Sequence, residues 1–328
     1  MKALVTGGTG FVGSHIVRAL NDAGHTARVL HRPTSKLDAL AGLPYESAPG
    51  DILDETALLE ACKSCDWVFH VAAVADYWRA DKSRMFEANV EGTRRVLQAA
   101  KSAGVKRVVF TSSAAAVGLR SDGQPAAEDE PFNLSPDRFP YGYSKVLAEK
   151  VALEAAASGQ DVVITNPVVI MGPGDLNMIS GNFVTQVKQL GPLVPVPPGG
   201  IAVIDVRDVA QMHLAAAERG RSGERYILNT DNYTQREWLG MIADVVRVRR
   251  PFIPAPAFSL PIVATLIDWL QNIGIKTPID GNQTRLGARN IHFDGAKGWA
   301  ELGKPQINMR QSLEDTYRWY VENGYIKI

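Results

Sequence analysis

The 328-residue sequence predicts an α/β fold, a parallel doubly wound sheet over residues 1–170 with a smaller C-terminal region over residues 171–328. Three observations predict it. Short apolar runs alternate with amphipathic helical patterns; a glycine-rich loop joins the first such run to the first helix; and Tyr141-Gly142-Tyr143-Ser144-Lys145 opens a long Ala-rich helical run. Residues four apart share a helix face, so Tyr141 and Lys145 point into the same space. An ammonium nearby favours an ionised phenol, which makes Tyr141 a candidate proton donor or acceptor.

Residues 2–5 read as the first strand, followed by Thr6-Gly7-Gly8-Thr9-Gly10-Phe11-Val12-Gly13 and a helix (Val12, Ile16, Val17, Leu20) that stops at Gly24. Gly7 suits a tight turn, Gly10 the close approach of a pyrophosphate, and Gly13 close helix packing, with the helix N-terminus turned to the anion. Strand, glycine loop and helix in this order point to a dinucleotide site; the alternative is a glycine-rich βα turn with no ligand. A second strand, 27–30, ends at His31-Arg32-Pro33-Thr34-Ser35-Lys36. An acidic residue for the adenosine ribose is missing there. Arg32 with Lys36 instead suits a 2′-phosphate and hence NADP, with NAD as the other choice; the alternative is that both are solvated loop charges.

Residues 44–48 form a third predicted strand, and Asp51 fits either an adenine contact or a turn. Asp54 caps a helix through Cys62. Residues 67–71 read as a buried strand ending at Ala72-Ala73, small enough for a ligand to approach, and His70 reads as a core or strand-end histidine rather than a catalyst. Tyr77 and Trp78 follow at the carboxyl end of that strand, where open α/β sheets bind ligands. Asn89 lies in a helix ending near Gly104; the fifth strand, 107–111, delivers Ser112-Ser113; and residues 118–137 form a polar, Pro-rich flap. Strand six, 162–165, precedes Asn166-Pro167 and Met171-Gly172-Pro173-Gly174-Asp175. A strand (201–204), a helix (206–218) and a strand (226–228) return to the first domain, and Thr234-Gln235-Arg236-Glu237 is a capping box. The apolar run 258–270 is a core or partner-facing helix, too short to span a bilayer, with a membrane-lying role as the minor alternative.

Lys plus Arg number 35 and Asp plus Glu 35, so no overall charge favours nucleic acid or an anionic surface. The N-terminus lacks the apolar region of a secretory leader, and a cytoplasmic location is expected. Cys62 and Cys65 are the only cysteines; without a second Cys or His pair at zinc spacing they read as reduced thiols, and no metal is expected.

The glycine loop, Ser113 after the fifth strand, Tyr141-x-x-x-Lys145, Asn166-Pro167, Gly172-Pro173-Gly174-Asp175 and Asp205-Val206-Arg207-Asp208 together resemble an extended short-chain dehydrogenase/reductase of the NAD-dependent epimerase/dehydratase family. Val29 to Ser35 and Thr111-Ser112-Ser113-Ala114 are similar to its dihydroflavonol-4-reductase-like branch, which includes bacterial carbonyl reductases and hopanoid-associated proteins named as sugar epimerases. The resemblance implies Tyr141 as acid/base, Lys145 as its activator and ribose ligand, Ser113 as donor to the substrate oxygen, Asn89 as support for this set and Pro167 beside the nicotinamide. The residues assigned to the cofactor are thus Gly7, Thr9, Gly10, Phe11, Val12, Gly13, His31, Arg32, Lys36, Asp51, Ile52, Val71, Ala72, Ala73, Asn89, Thr111, Tyr141, Lys145 and Pro167. Substrate contacts are assigned to Tyr77, Trp78, Ser113, Gly118, Met171 and Phe183. Plant flavonoid reductases carry an asparagine where this chain has Gly118, which argues against a dihydroflavonol substrate.

The expected activity is NADP(H)-dependent reduction of an aldehyde or ketone, on a modest, largely apolar carbonyl compound. The rivals are an NAD-dependent nucleotide-sugar epimerase or sterol-type 3β-hydroxy dehydrogenase, and a non-catalytic dinucleotide sensor, which the intact Ser113, Tyr141 and Lys145 disfavour. Many relatives dimerise through the helices corresponding to residues 86–102 and 141–158, so a homodimer is compatible with the sequence.

Overall fold

Strands and helices alternate in the order that the hydrophobic periodicity predicts. The computed structural model describes residues 1–75, 81–178, 180–275, 277 and 280–326. Its first half runs β1 (Lys2–Thr6), α1 (Phe11–Asp22), β2 (Thr26–His31), β3 (Glu46–Pro49), α2 (Glu55–Cys62), β4 (Trp67–His70), α3 (Lys82–Phe86), α4 (Gly92–Ser102), β5 (Arg107–Thr111), α5 (Pro140–Ala157) and β6 (Val162–Pro167). The second half runs β7 (Val169–Met171), α6 (Asn182–Leu190), β8 (Pro195–Val196), β9 (Gly200–Asp205), α7 (Val206–Arg219), β10 (Arg225–Leu228), β11 (Asp231–Thr234), α8 (Gln235–Val245), β12 (Ile253–Pro254), α9 (Leu260–Asn272), α10 (Gly281–Leu286), α11 (Ala296–Leu302) and α12 (Met309–Glu322).

The central sheet has the order β10-β6-β5-β4-β1-β2-β3, and its pairings are parallel. Strand direction of travel reverses between β1 and β4, so a crevice opens at their carboxyl ends, the place where doubly wound sheets take ligands. Side-chain alternation divides the core cleanly. Ala3, Val5, Phe69, Val109 and Val163 face α1 and α7 on one side. Leu4, Val68, Val108, Phe110 and Ile164 face α2, α4 and α5 on the other. Because both faces are covered, the middle positions of these strands are apolar on both sides, with polar residues at the strand ends.

The expected return of residues 201–230 to the first domain holds only in part. α7 packs on α1 and β10 closes the edge of the main sheet beside β6. β9, however, pairs with β7 and antiparallel with β11, building a separate three-stranded sheet. Its inner face joins Trp238, Ile242, Leu313 and Tyr320 in a third core. The long helix expected across 86–102 is also interrupted: residues 87–91 form a π-helical turn between α3 and α4.

Charged joints tie the two regions together. Buried Asp205 caps α7 and accepts two bonds from the Arg207 guanidinium, at 2.9 Å each, which also reaches Asp315 of α12 at 2.9 Å. Asp208 accepts from the backbone amides of Gln306 and Ile307, at 2.9 and 3.0 Å. The predicted capping box is present: Thr234 Oγ1 accepts from the Glu237 amide at 3.2 Å, and the Glu237 carboxylate accepts from the Thr234 amide at 2.9 Å. Thr234→Ala should therefore cost about 1 kcal/mol of stability, read as a lower midpoint in thermal or denaturant unfolding; an unchanged midpoint would mean the box contributes nothing.

Candidate active site

The glycine loop is shaped by what a side chain would strike. Gly7 has φ +71°, and a Cβ there would lie 2.7 Å from the Ala72 amide nitrogen. A Cβ on Gly13 would lie 2.2 Å from the Gly7 carbonyl oxygen. Both glycines let α1 start directly above the crevice. Gly10 is its N-cap and supplies no side-chain cap, and the first turn carries no acidic residue, so the positive end of α1 stays uncompensated. This cradle fits a dinucleotide pyrophosphate, flanked by Thr9, Phe11 and Val12. At the end of β2, Arg32 and Lys36 are exposed and have no carboxylate partner among the described residues. His31 is engaged with Ser47 Oγ at 2.8 Å.

Asp51 takes the turn role: its Oδ1 accepts from the Leu53 amide at 3.0 Å. Ile52 packs on Gly92. Val71 and Ala72 donate from their amides to Thr6, to its carbonyl at 3.2 Å and its hydroxyl at 3.3 Å, which places Ala72 and Ala73 at the mouth of the crevice. Pro167, buried, ends β6 on the same side of the sheet.

The three residues of the expected chemistry converge from β5 and α5. Ser113, 7% exposed, follows β5, and its Oγ accepts from the Ala115 amide at 3.1 Å. Gly142 sits so close that a Cβ would lie 2.5 Å from the Ala115 carbonyl oxygen, so the first turn of α5 packs hard on the Ser113 segment. Tyr141 (6% exposed) and Lys145 (2% exposed) share the helix face turned that way. Lys145 Nζ donates to the Thr111 carbonyl at 3.0 Å and lies 5.2 Å from the centre of the Phe110 ring. Burial lowers its pKa to about 8, with the Glu149 carboxylate opposing. An ammonium has three donors, so two remain for other acceptors.

A continuous polar chain supports this set. The Ala72 amide donates to Thr6 Oγ1, which meets His70 Nδ1 at 2.8 Å, and His70 Nε2 meets Thr93 Oγ1 at 3.0 Å. Thr93 donates to the Asn89 carbonyl at 2.6 Å, so it accepts from Nε2–H, and Nδ1 accepts from Thr6. His70 is thus a neutral imidazole, its pKa lowered by burial to about 3. Asn89, on the π turn, clamps Val74 through both amide atoms (2.8 and 3.1 Å) and donates to Ser144 Oγ at 3.0 Å. Ser144 in turn donates to the Tyr141 carbonyl at 2.7 Å.

Sequence reasoning missed a second cluster. Glu149 Oε1 accepts from Ser112 Oγ and Asn166 Nδ2 at 2.5 Å each, and Oε2 lies 3.1 Å from Arg225 Nε. Asn166 Nδ2 also donates to the Ser113 carbonyl at 3.0 Å, so Glu149 fixes the backbone that presents Ser113. Burial raises the Glu149 pKa against these partners. The signal was present: Glu149 stands four residues beyond Lys145 on the same face. His213 was also unread. Its Nδ1–H donates to the Val209 carbonyl at 2.7 Å, and Nε2 lies 2.9 Å from both Thr111 Oγ1 and Thr165 Oγ1.

Two substrate assignments change character. Met171 is 1% exposed and belongs to the C-terminal core, because β7 turns it inward to that sheet. Gly118 is buried and its missing side chain leaves no open space, since a Cβ would lie 2.0 Å from the Pro131 carbonyl oxygen. Phe183 is half-buried on α6. Tyr77 and Trp78 lie outside the described residues. Cys62 and Cys65 are buried free thiols, Cys62 pushed up to about 12 by burial, and no cluster of metal-ligating side chains occurs among the described residues.

The buried histidines set a pH dependence. His213 titrates near 4 when folded and near 6.5 when unfolded, so the unfolded chain binds more protons between those values and stability falls as pH drops through that window. The loss is about 1.4 kcal/mol per pH unit for each such group. Denaturant midpoints should decline from pH 6.5 to 4, and His213→Gln should flatten that slope; an equal slope in the variant would contradict the assignment.

Residues 3–229 match the family described as the NAD dependent epimerase/dehydratase family. Similar proteins include the "Putative dihydroflavonol 4-reductase" of Synechocystis sp., 36% identical over 98% of this chain and 95% of that one. Sterol demethylase protein B of Methylococcus capsulatus is 32% identical, covering 99% and 100% of the two chains. The dTDP-glucose 4,6-dehydratase DesIV of Streptomyces venezuelae, solved with NAD bound, superposes with a TM-score of 0.78 at 28% identity, covering 99% and 98%. The chain belongs to the NAD dependent epimerase/dehydratase family and is an oxidoreductase of the extended short-chain dehydrogenase/reductase type.

Proposed function

We propose that this chain reduces an aldehyde or ketone to the alcohol with NADPH, the proton coming from Tyr141. The observation that carries the reading is the convergence of Ser113, Tyr141 and buried Lys145 at the carboxyl end of β5, in the same sheet whose β1 leads into the glycine loop of Gly7, Gly10 and Gly13. When bound, the dinucleotide supplies the hydride; the side chains handle the oxygen. As a carbonyl oxygen gains charge, Ser113 Oγ donates a hydrogen bond to it and Tyr141 gives it a proton, so both act where charge develops. Lys145, held by the Thr111 carbonyl, offers its remaining donors to a ribose hydroxyl and stabilises the tyrosinate left behind. Arg32 and Lys36, exposed and without carboxylate partners among the described residues, suit a 2′-phosphate, which favours NADP over NAD.

A second reading shares the same three residues: an NAD-dependent nucleotide-sugar epimerase or a sterol-type 3β-hydroxy dehydrogenase. The names of the Methylococcus and Streptomyces relatives favour it; the basic pair at the end of β2 weighs against it. The substrate expected on the first reading is a modest, largely apolar carbonyl compound.

Tyr141→Phe removes only the phenolic hydroxyl. Turnover should fall on the order of 10²–10⁴-fold. The dissociation constant for the dinucleotide, read by fluorescence titration, should stay nearly unchanged. Parental turnover in the purified variant would overturn the role given to Tyr141.

A further inference from the structure

Among the described residues, eight of the fifteen exposed large apolar side chains fall between residues 252 and 275, a concentration in one segment rather than scatter along the chain. α9 turns Leu260, Ala264 and Ile267 inward, and its Asp268 is bonded to Arg285 Nη2 of α10 at 2.6 Å. Its inner side is therefore already occupied. On the outer side, Ile262 (68% exposed), Leu266 (56%), Trp269 (57%) and Ile273 (54%) repeat as a helical stripe. Phe252 (65%) and Phe258 (78%) also stand exposed in the chain leading into the helix.

The charge of the same segment departs from that of the whole. Residues 247–289 hold six basic residues (Arg247, Arg249, Arg250, Lys276, Arg285, Arg289) and two acidic ones (Asp268, Asp280), a net of 6 − 2 = +4 in a chain of formal net charge zero. Arg285 is paired with Asp268, and Arg250 with Asp244. Arg247 and Arg249 are exposed and have no carboxylate partner among the described residues.

We propose that this face docks on an anionic lipid bilayer, with α9 lying in the plane of the interface. An exposed apolar stripe with aromatic residues, in a segment whose sequence also carries arginines without carboxylate partners among the described residues, is complementary to acyl chains below and anionic headgroups around it. A second copy of the chain fits less well, because a twofold contact would set the same positive surface against itself. At 13 residues, α9 is about 20 Å long, against roughly 30 Å of hydrocarbon, so it lies on the bilayer and does not cross it. Among the described residues no helix is long and apolar enough to cross a membrane. The docking reading goes beyond the reductase reading and does not rest on it.

The test is flotation of the full-length chain with vesicles of phosphatidylcholine alone, and of phosphatidylcholine with about one-third phosphatidylglycerol, at low and high salt. The protein should float with the anionic vesicles, more weakly at high salt, with a blue shift in tryptophan fluorescence that Trp269→Phe abolishes. Leu266→Ser, on the outer face, should lower the bound fraction about tenfold or more while the circular dichroism and melting midpoint stay unchanged. Arg249→Glu should reduce the preference for anionic vesicles. No binding to either vesicle, or binding unaltered by Leu266→Ser, would overturn the proposal. So would a dimer in sedimentation that Leu266→Ser converts to monomer, since a second copy would then own the face.

Discussion

The site depends on one buried run of hydrogen bonds, from Thr6 on β1 through His70, Thr93, Asn89 and Ser144 to the carbonyl of Tyr141. Its members come from the end of β1, the end of β4, the π turn, the start of α4 and the first turn of α5, so the run ties these segments into one register. Each buried polar group in it has a partner, and removing one would leave another unsatisfied at a cost of about 1–3 kcal/mol. Burial keeps His70 neutral, which fixes a single donor and a single acceptor on its ring and gives the run a direction. The π turn has the same logic. Inserting an extra residue into a helix is costly, and such turns are found at functional sites; here it brings Asn89 against both Val74 and Ser144.

Electrostatics complete the arrangement. Lys145 is stripped of water, which weakens its hold on its proton, and Glu149 one turn along the helix restores part of it. Glu149 is itself held by Ser112, Asn166 and Arg225, so the charge that steadies Lys145 also fixes the backbone of Ser113. The two sides of the candidate site, the serine after β5 and the tyrosine–lysine pair of α5, are therefore coupled through the Glu149 carboxylate.

Much of this was legible in the chain. Short continuous apolar runs mark the strands of the main sheet because both faces are covered, and the glycine loop announces itself through spacing and its strand–helix context. Thr234 and Glu237 announce a cap because the capping pattern is purely local. The three-stranded sheet was not legible: β7 has three residues and β11 four, too short for periodicity to speak. Burial of Met171 and the filling of the space beside Gly118 by the Pro131 carbonyl depend on tertiary packing that neighbouring residues do not encode. The same holds for the Ser112, Asn166 and Arg225 partners of Glu149 and the Thr111 and Thr165 partners of His213, which lie on other elements. Residues 258–270 read as apolar, yet only the fold reveals that most of that apolar surface faces outward.

The account rests on a hydride acceptor being a carbonyl and its donor carrying a 2′-phosphate. Absorbance at 340 nm tests both at once, with a panel of aldehydes, ketones and ketoesters offered separately with NADPH and with NADH. Oxidation of NADPH well ahead of NADH with a member of the panel is the predicted result. No oxidation of either, with NAD retained tightly by the purified protein, would contradict it.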